Sequence, residues 1–298
     1  LHAGLWTDAR RHFAVLTGLS GTGKTRLARE YAKAITDDED AIATIPVQPG
    51  WYDPAPLLGH VNPLRPDEFV RPAFLGLMLR AASRRAEPHF AILDEMNLSH
   101  VEQYLAPLLS AMETGDELDL HGRDEENISG VPGQLPYPPN LVVIGTVNMD
   151  ETTVGISDKV LDRAFTLEFW RVEVDQWPGW SKAALGTAEE LVRGTLKELM
   201  DSLSPARLHF GWRVIREVVS FVERATANGG SLDATAALDR VIYAKVIPKL
   251  RGDDSARLRE ALEQCRRTLV GRGLPKCRRK VSEMESDLIE TGSVRFWR

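Results

Sequence analysis

The chain has 298 residues, 43% of them hydrophobic and 27% charged, a globular composition that excludes disordered and collagen-like chains. No apolar run approaches the ~18 residues a membrane-spanning helix needs. Thirty-seven Lys and Arg against 43 Asp and Glu leave a net charge of −6, which argues against a surface basic all round, so any DNA contact is expected to be local or made by a partner.

The first apolar run, 12–17, is predicted as a buried strand. It leads into Gly18-Leu19-Ser20-Gly21-Thr22-Gly23-Lys24-Thr25, which satisfies G-x-x-x-x-G-K-[ST]. A strand before it and an amphipathic helix after it make this a phosphate loop. Gly18, Gly21 and Gly23, with Thr22 between them, let backbone N–H groups wrap a polyphosphate at a helix N-terminus, where the dipole favours negative charge. Lys24 is expected at the β- and γ-phosphates and the Thr25 hydroxyl on magnesium. Leu27, Ala28, Tyr31, Ala32 and Ile35 mark the core stripe of the helix. Asp37-Asp38-Glu39-Asp40 reads as a water-facing loop.

A second strand is expected at 43–47 and a third at 90–93. The third ends in Asp94-Glu95, two carboxylates at the C-terminal end of a buried strand, where a doubly wound sheet holds its ligand. Asp94 is assigned to the metal, directly or through water, and Glu95 to polarising an attacking water. Between these strands lie His60 and Asn62, which face either a ring pore or simply a capped loop. Val101, Leu105, Leu108, Leu109 and Met112 mark another core stripe, and 115–140 reads as a long excursion, such as a hairpin, inserted before the fourth strand.

That fourth strand, 141–146, runs into Asn148, a short amide placed to orient the hydrolytic water. The segment 157–165 reads as a short helix exposing Arg163, whose fixed guanidinium either makes an ordinary surface ion pair or neutralises a phosphoryl group in flight, from a neighbouring subunit if need be. A fifth strand is expected at 166–169. Strands alternating with crossover helices make residues 1–175 an α/β nucleotide-binding core.

From 176 to 298 the pattern is helical, with amphipathic segments at 187–203, 211–227, 232–250, 255–270 and 278–290. Trp177-Pro178-Gly179-Trp180 reads as the linker, and Val214, Ile215, Val218, Val219 and Val222 form an apolar face. Residues 266–280 carry seven Lys or Arg and no acid, either a solvated helical face or a contact for phosphate backbone or an acidic partner. Cys265 and Cys277 lack C-x-x-C spacing, the histidines form no H-E-x-x-H, and no leader pattern precedes the first strand. These features point away from disulfides and zinc and toward a reducing cytoplasm. Because the sequence begins at Leu1, a domain cut from a longer chain is expected.

The ordered set of phosphate loop, Asp-Glu after a strand, strand-Asn, helix-Arg and helical lid resembles the AAA+ ATPases over nearly the whole chain. That resemblance implies a P-loop α/β parallel sheet with a C-terminal all-helical lid, Asn148 as sensor 1 and Arg163 as the arginine finger. It also implies that Arg213, in Phe210-Gly211-Trp212-Arg213, is the sensor-2 arginine, with Arg216 one turn on as the competing candidate. Within that superfamily, Ile92-Leu93-Asp94-Glu95-Met96-Asn97-Leu98-Ser99 and 139–148 resemble the motor subunits of McrBC-type modification-dependent restriction systems. The resemblance implies a hexameric ring that hydrolyses GTP and drives a separate McrC-like nuclease, with DNA contact indirect or through an N-terminal domain absent from this sequence. The family's M-N-x-x-D-R signature is here Val147-Asn148-Met149-Asp150-Glu151-Thr152. The asparagine is present and the arginine missing, which favours ATP over GTP. Residues 51–59 and 294–298 also resemble McrB-like proteins, with packing as their default role. The competing readings are a MoxR-like chaperone that remodels a protein client and a scaffold that holds nucleotide without hydrolysing it.

Overall fold

The structure is a computed structural model that describes residues 1–8, 11–122, 127–149, 154–227 and 232–297. Contacts group the chain into two units, Leu1–Gly18 with Gly23–Phe169, and Leu19–Thr22 with Trp170–Arg298.

The first unit is built on five parallel strands: β1 (Phe13–Gly18), β2 (Ile42–Pro46), β3 (His89–Asp94), β4 (Leu141–Asn148) and β5 (Phe165–Phe169), in the order β2-β3-β4-β1-β5. The three central strands are apolar and buried almost throughout, as a parallel sheet covered on both faces requires, whereas β2 and β5 are edges and more exposed. Side chains alternate between the faces. Ala14, Leu16, Phe90, Ile92, Val142 and Ile144 pack with Ala28 and Ala32 of helix α1 (Lys24–Ile35). Phe13, Val15, Ala91, Leu93, Leu141 and Val143 pack instead with helices α2 (Ala73–Ser83) and α3 (Ala106–Thr114).

Two details depart from the sequence expectation. The α1 stripe is narrower, because Ala28 and Ala32 let the helix lie flat on the sheet while Leu27 and Ile35 remain more than a third exposed. The stripe from Val101 to Met112 is fully buried, but Pro107 at its second helix start splits it into Val101–Tyr104 and α3. The excursion before β4 contains an antiparallel pair, Glu117–Asp119 with Gln134–Pro136, and residues 123–126 lie outside the described residues. A second hairpin pairs His60–Asn62 with Arg65–Val70, so Asn62 is a turn residue whose Oδ1 accepts from the Leu64 amide at 3.0 Å.

In the second unit, helices α4 (Glu189–Leu203), α5 (Trp212–Thr226), α6 (Ala234–Lys245), α7 (Ala256–Gly271) and α8 (Pro275–Thr291) surround one apolar core. The face from Val214 to Val222 lies in that core. The unit is helical as expected, with one short addition: Gly252–Asp253 pairs antiparallel with Ser293–Val294. Residues 177–180 are not a linker. Val172 and Val174 are already core residues, and Trp180 is buried there, its indole N–H donating to the Val174 carbonyl at 2.6 Å and its ring edge-on to Trp177. The chain therefore changes unit between Phe169 and Trp170, a few residues before the expected boundary at 175. The Pro-Gly pair merely turns the chain between two packed aromatic rings.

Candidate nucleotide site

Parallel strands place their C-terminal ends along one edge of the sheet, and Gly18, Asp94 and Asn148 all stand there, Gly18 directly beside Asn148 in register. Between β1 and α1 the backbone turns through positive φ at Gly21 (78°) and Gly23 (95°), conformations that a Cβ disfavours. Lys24 opens α1 and is only 5% exposed, its ammonium donating to the Gly18 carbonyl at 3.1 Å. The amide of Met149 donates to the same carbonyl, tying the end of β4 to the loop.

Asp94, Thr146 and Asn148 share the α1 face, because Thr146 and Asn148 are two residues apart on β4 and Leu93 pairs with Gly145. The Thr25 hydroxyl donates to Asp94 Oδ1 at 2.6 Å, and the Thr146 hydroxyl donates to the same oxygen at 2.8 Å. Glu95 follows Asp94 in the left-handed region (φ 54°, ψ 46°), a rare conformation for a residue with a side chain. Several contacts hold it there. Its amide donates to Thr146 Oγ1 at 3.0 Å, and its carboxylate accepts from the Asn148 amide at 3.0 Å. Met96 is fully buried beneath Gly145, with the Tyr104 hydroxyl donating to the Met96 carbonyl at 2.8 Å. Burial pushes the Tyr104 phenol well above its ordinary value, so it stays a donor. Strain of this kind, held by several independent contacts, is a mark of functional sites.

The group fits a magnesium-bound polyphosphate. A glycine-turned loop at a helix N-terminus offers N–H groups, Lys24 a buried cation, and Thr25 with Asp94 the hydroxyl and carboxylate oxygens that a small divalent cation takes. Gly18, Lys24, Thr25, Asp94, Glu95 and Asn148 lie together at this edge of the sheet. Thr146 and Asn97, whose side-chain amide donates to the Asn148 carbonyl at 3.3 Å, belong to the same group and were not anticipated. The signal for Thr146 lay in its position two residues before Asn148, on the same strand face.

Arg163 stands apart. It follows the short helix Asp158–Leu161, donates to the Lys159 carbonyl at 2.7 Å and pairs with Glu113 at the end of α3, while its buried Nε has no hydrogen-bond partner among the described residues. In the second unit, Thr22 Oγ1 donates to the Leu19 carbonyl at 2.9 Å. There too Arg213 and Arg216 both lie exposed on α5, and the Arg213 amide donates to the Gly21 carbonyl at 3.2 Å. Gly211 permits this approach, since a Cβ there would stand 2.6 Å from the Ser20 carbonyl oxygen.

The basic run 266–280 is largely engaged within the second unit. Arg266 pairs with Glu285, Arg267 with Glu263, Arg272 with Glu198 and Lys280 with Glu283, and Lys276 lies 4.1 Å from the Tyr243 ring centroid. Four of the seven cations are thus paired with acids of the same unit, which fits a solvated helical face, and Arg278 and Arg279 are exposed. The phrase 51–59 is also packing: the Trp51 amide donates to Ser99 Oγ and its ring meets Tyr104 edge-on, and Leu57 and Leu58 are buried. Val294 and Phe296 likewise join the second core. Asp150, Glu151 and Thr152 lie outside the described residues. Among the described residues, no helix is long and apolar enough to cross a membrane.

A five-stranded parallel sheet with a phosphate loop after its first strand and acidic residues after its third defines a P-loop NTPase fold. The family model of the AAA domain (dynein-related subfamily) matches residues 14–166, more than half of the chain, and the chain belongs to that family. It is therefore a member of the AAA+ superfamily, whose members use a nucleotide with magnesium. A family described as a domain of unknown function (DUF8727) matches residues 173–293. No curated protein matches the chain.

Proposed function

We propose that the protein hydrolyses a nucleoside triphosphate, ATP in preference to GTP, as the ring-forming motor of a McrBC-like restriction or phage-defence system. The observation that carries hydrolysis is the strained Glu95, held beside Asp94 at the end of β3 by Thr146 and Asn148 of β4. A protein that only holds nucleotide needs the loop and the lysine but no such carboxylate.

In the reaction, Glu95 takes a proton from a water whose oxygen attacks the γ-phosphorus in line. The bond from that phosphorus to the bridging oxygen breaks, releasing a nucleoside diphosphate and inorganic phosphate. Asn148, already bonded to Glu95, orients the carboxylate and the water, and Lys24 and the loop amides hold the phosphates. Thr25 and Asp94 would hold magnesium, which when bound would supply charge neutralisation for the phosphates. Arg163 serves a neighbouring subunit as the arginine finger, and Arg213 is the sensor-2 arginine. The finger role for Arg163 rests on the family resemblance; its own contacts, Glu113 and Lys159, lie outside the nucleotide group, and the Glu113 pair must open for the guanidinium to reach a neighbour's phosphate. Support for Arg213 over Arg216 comes from its backbone bond to Gly21.

The restriction role rests on the phrases 92–99 and 139–148. On this reading the motor forms a hexamer, a McrC-like nuclease cuts, and DNA is recognised elsewhere than on this chain's surface. The test is hydrolysis of ATP and GTP side by side, with particle size measured in a non-hydrolysable analogue of each. Phosphate release with magnesium, faster with ATP, and a larger particle in the ATP analogue are expected. Nucleotide binding without phosphate release would favour a scaffold instead.

A further inference from the structure

The proton accounting around Asp94 assigns a part to a residue outside the phosphate loop and the acidic pair. A threonine hydroxyl has one proton to give and two lone pairs to accept with. Thr146 is 2% exposed, and its one proton goes to Asp94 Oδ1. Its oxygen then accepts the amide of Glu95. Asp94 Oδ1 is thereby met by two hydroxyls, from Thr25 on α1 and Thr146 on β4. One buried oxygen thus links the carboxylate proposed to hold the metal to the backbone of the residue proposed to act as base.

We infer that Thr146 is a positioning residue that couples metal binding to the base: its hydroxyl fixes the rotamer of Asp94 and holds Glu95 in its left-handed conformation. The inference rests on the hydrolytic reading of the site and deepens it. Two features favour a coupling role over simple packing. The conformation of Glu95 is unfavourable for a side-chain-bearing residue and persists only where surrounding contacts over-determine it. An apolar residue of the same shape would fill the same space in β4, so packing alone gives no reason for a hydroxyl among Ile144, Gly145 and Val147.

The experiment uses Thr146→Val, which keeps the shape and removes the hydroxyl, Thr146→Ser, which keeps the hydroxyl, and Thr146→Ala as a second hydroxyl-free variant should the valine fail to fold. A fluorescent ATP analogue is titrated in EDTA and in magnesium, and steady-state kcat and KM for ATP are measured. Loss of a hydrogen bond to a charged group is expected to lower both kcat and the magnesium-dependent gain in affinity by about 10-fold to 100-fold. Affinity in EDTA stays as in the unaltered protein, and serine restores both losses. A valine variant with the unaltered gain and kcat would overturn the inference, and so would a serine variant as impaired as valine, which would assign the effect to the methyl group. The gain in affinity is read without turnover, so it tests Thr146 even if hydrolysis is undetectable. An unaltered chain that binds no nucleotide would refute the functional reading itself.

Discussion

Adding one methyl group at Gly145 tests how Glu95 is held. A Cβ built on Gly145 stands 2.0 Å from Met96 Sδ, 3.1 Å from Cε and 3.3 Å from Cγ, against 3.4 Å or more for ordinary contact. Met96 is fully buried, so its sulfur must move by more than an ångström with no solvent to move into. Overpacking of this kind costs about 1–3 kcal/mol. Met96 is also bonded covalently to Glu95 and held through its carbonyl by Tyr104, so part of the displacement reaches the carboxylate. A shift of about 1 Å in a catalytic group can lower turnover by ~10²-fold. Gly145→Ala is therefore expected to lower both the unfolding free energy in urea and the rate of phosphate release, while nucleotide affinity changes little. Met96→Ala alone leaves a cavity and costs about 2–5 kcal/mol. In the double variant the new methyl meets no sulfur, so the two losses combine to less than their sum by about 1 kcal/mol or more. Additivity within about 0.5 kcal/mol would show that the sulfur does not press on position 145, and the reasoning would fail.

Arg163→Ala is expected to bind nucleotide normally and to lose turnover by about 10³-fold or more, as removal of an arginine finger does. Mixing it with Lys24→Ala restores part of the phosphate release, because some interfaces then join an intact loop to an intact arginine; no recovery on mixing would contradict sharing between subunits. In the second unit, buried Asp239 accepts from the amides of Lys276 and Cys277, both at 2.9 Å, and so caps the start of α8. Asp239→Ala orphans both donors and is expected to lower the unfolding free energy by about 2–4 kcal/mol, with Asp239→Asn losing less; a change below about 0.5 kcal/mol would show that the cap is dispensable.

What could be read from residues alone was the part of the site carried by local pattern. Gly18 to Thr25 and Asp94-Glu95 follow buried strands, and a strand end at the sheet edge is where such residues converge. Thr146 was not legible, since a threonine inside an apolar strand is an ordinary strand residue until its register with Asp94 is known. The apparent linker 177–180 misled because Pro and Gly signal a turn, while the burial of Trp180 depends on residues from distant helices. The basic run was legible only as two alternatives for a similar reason: Glu198 and Glu285, which pair with Arg272 and Arg266, lie outside it in sequence. The stripe on α1 was drawn too wide because spacing shows which residues share a face but not how closely two alanines draw a helix onto its sheet.

The most direct measurement is a crystal structure of the protein soaked with magnesium and a non-hydrolysable ATP analogue. The account predicts a triphosphate lying along the amides of residues 18–25, with a metal ion between it, Thr25 and Asp94. Density for the nucleotide elsewhere, or an Asp94 carboxylate turned away from a bound phosphate tail, would contradict it.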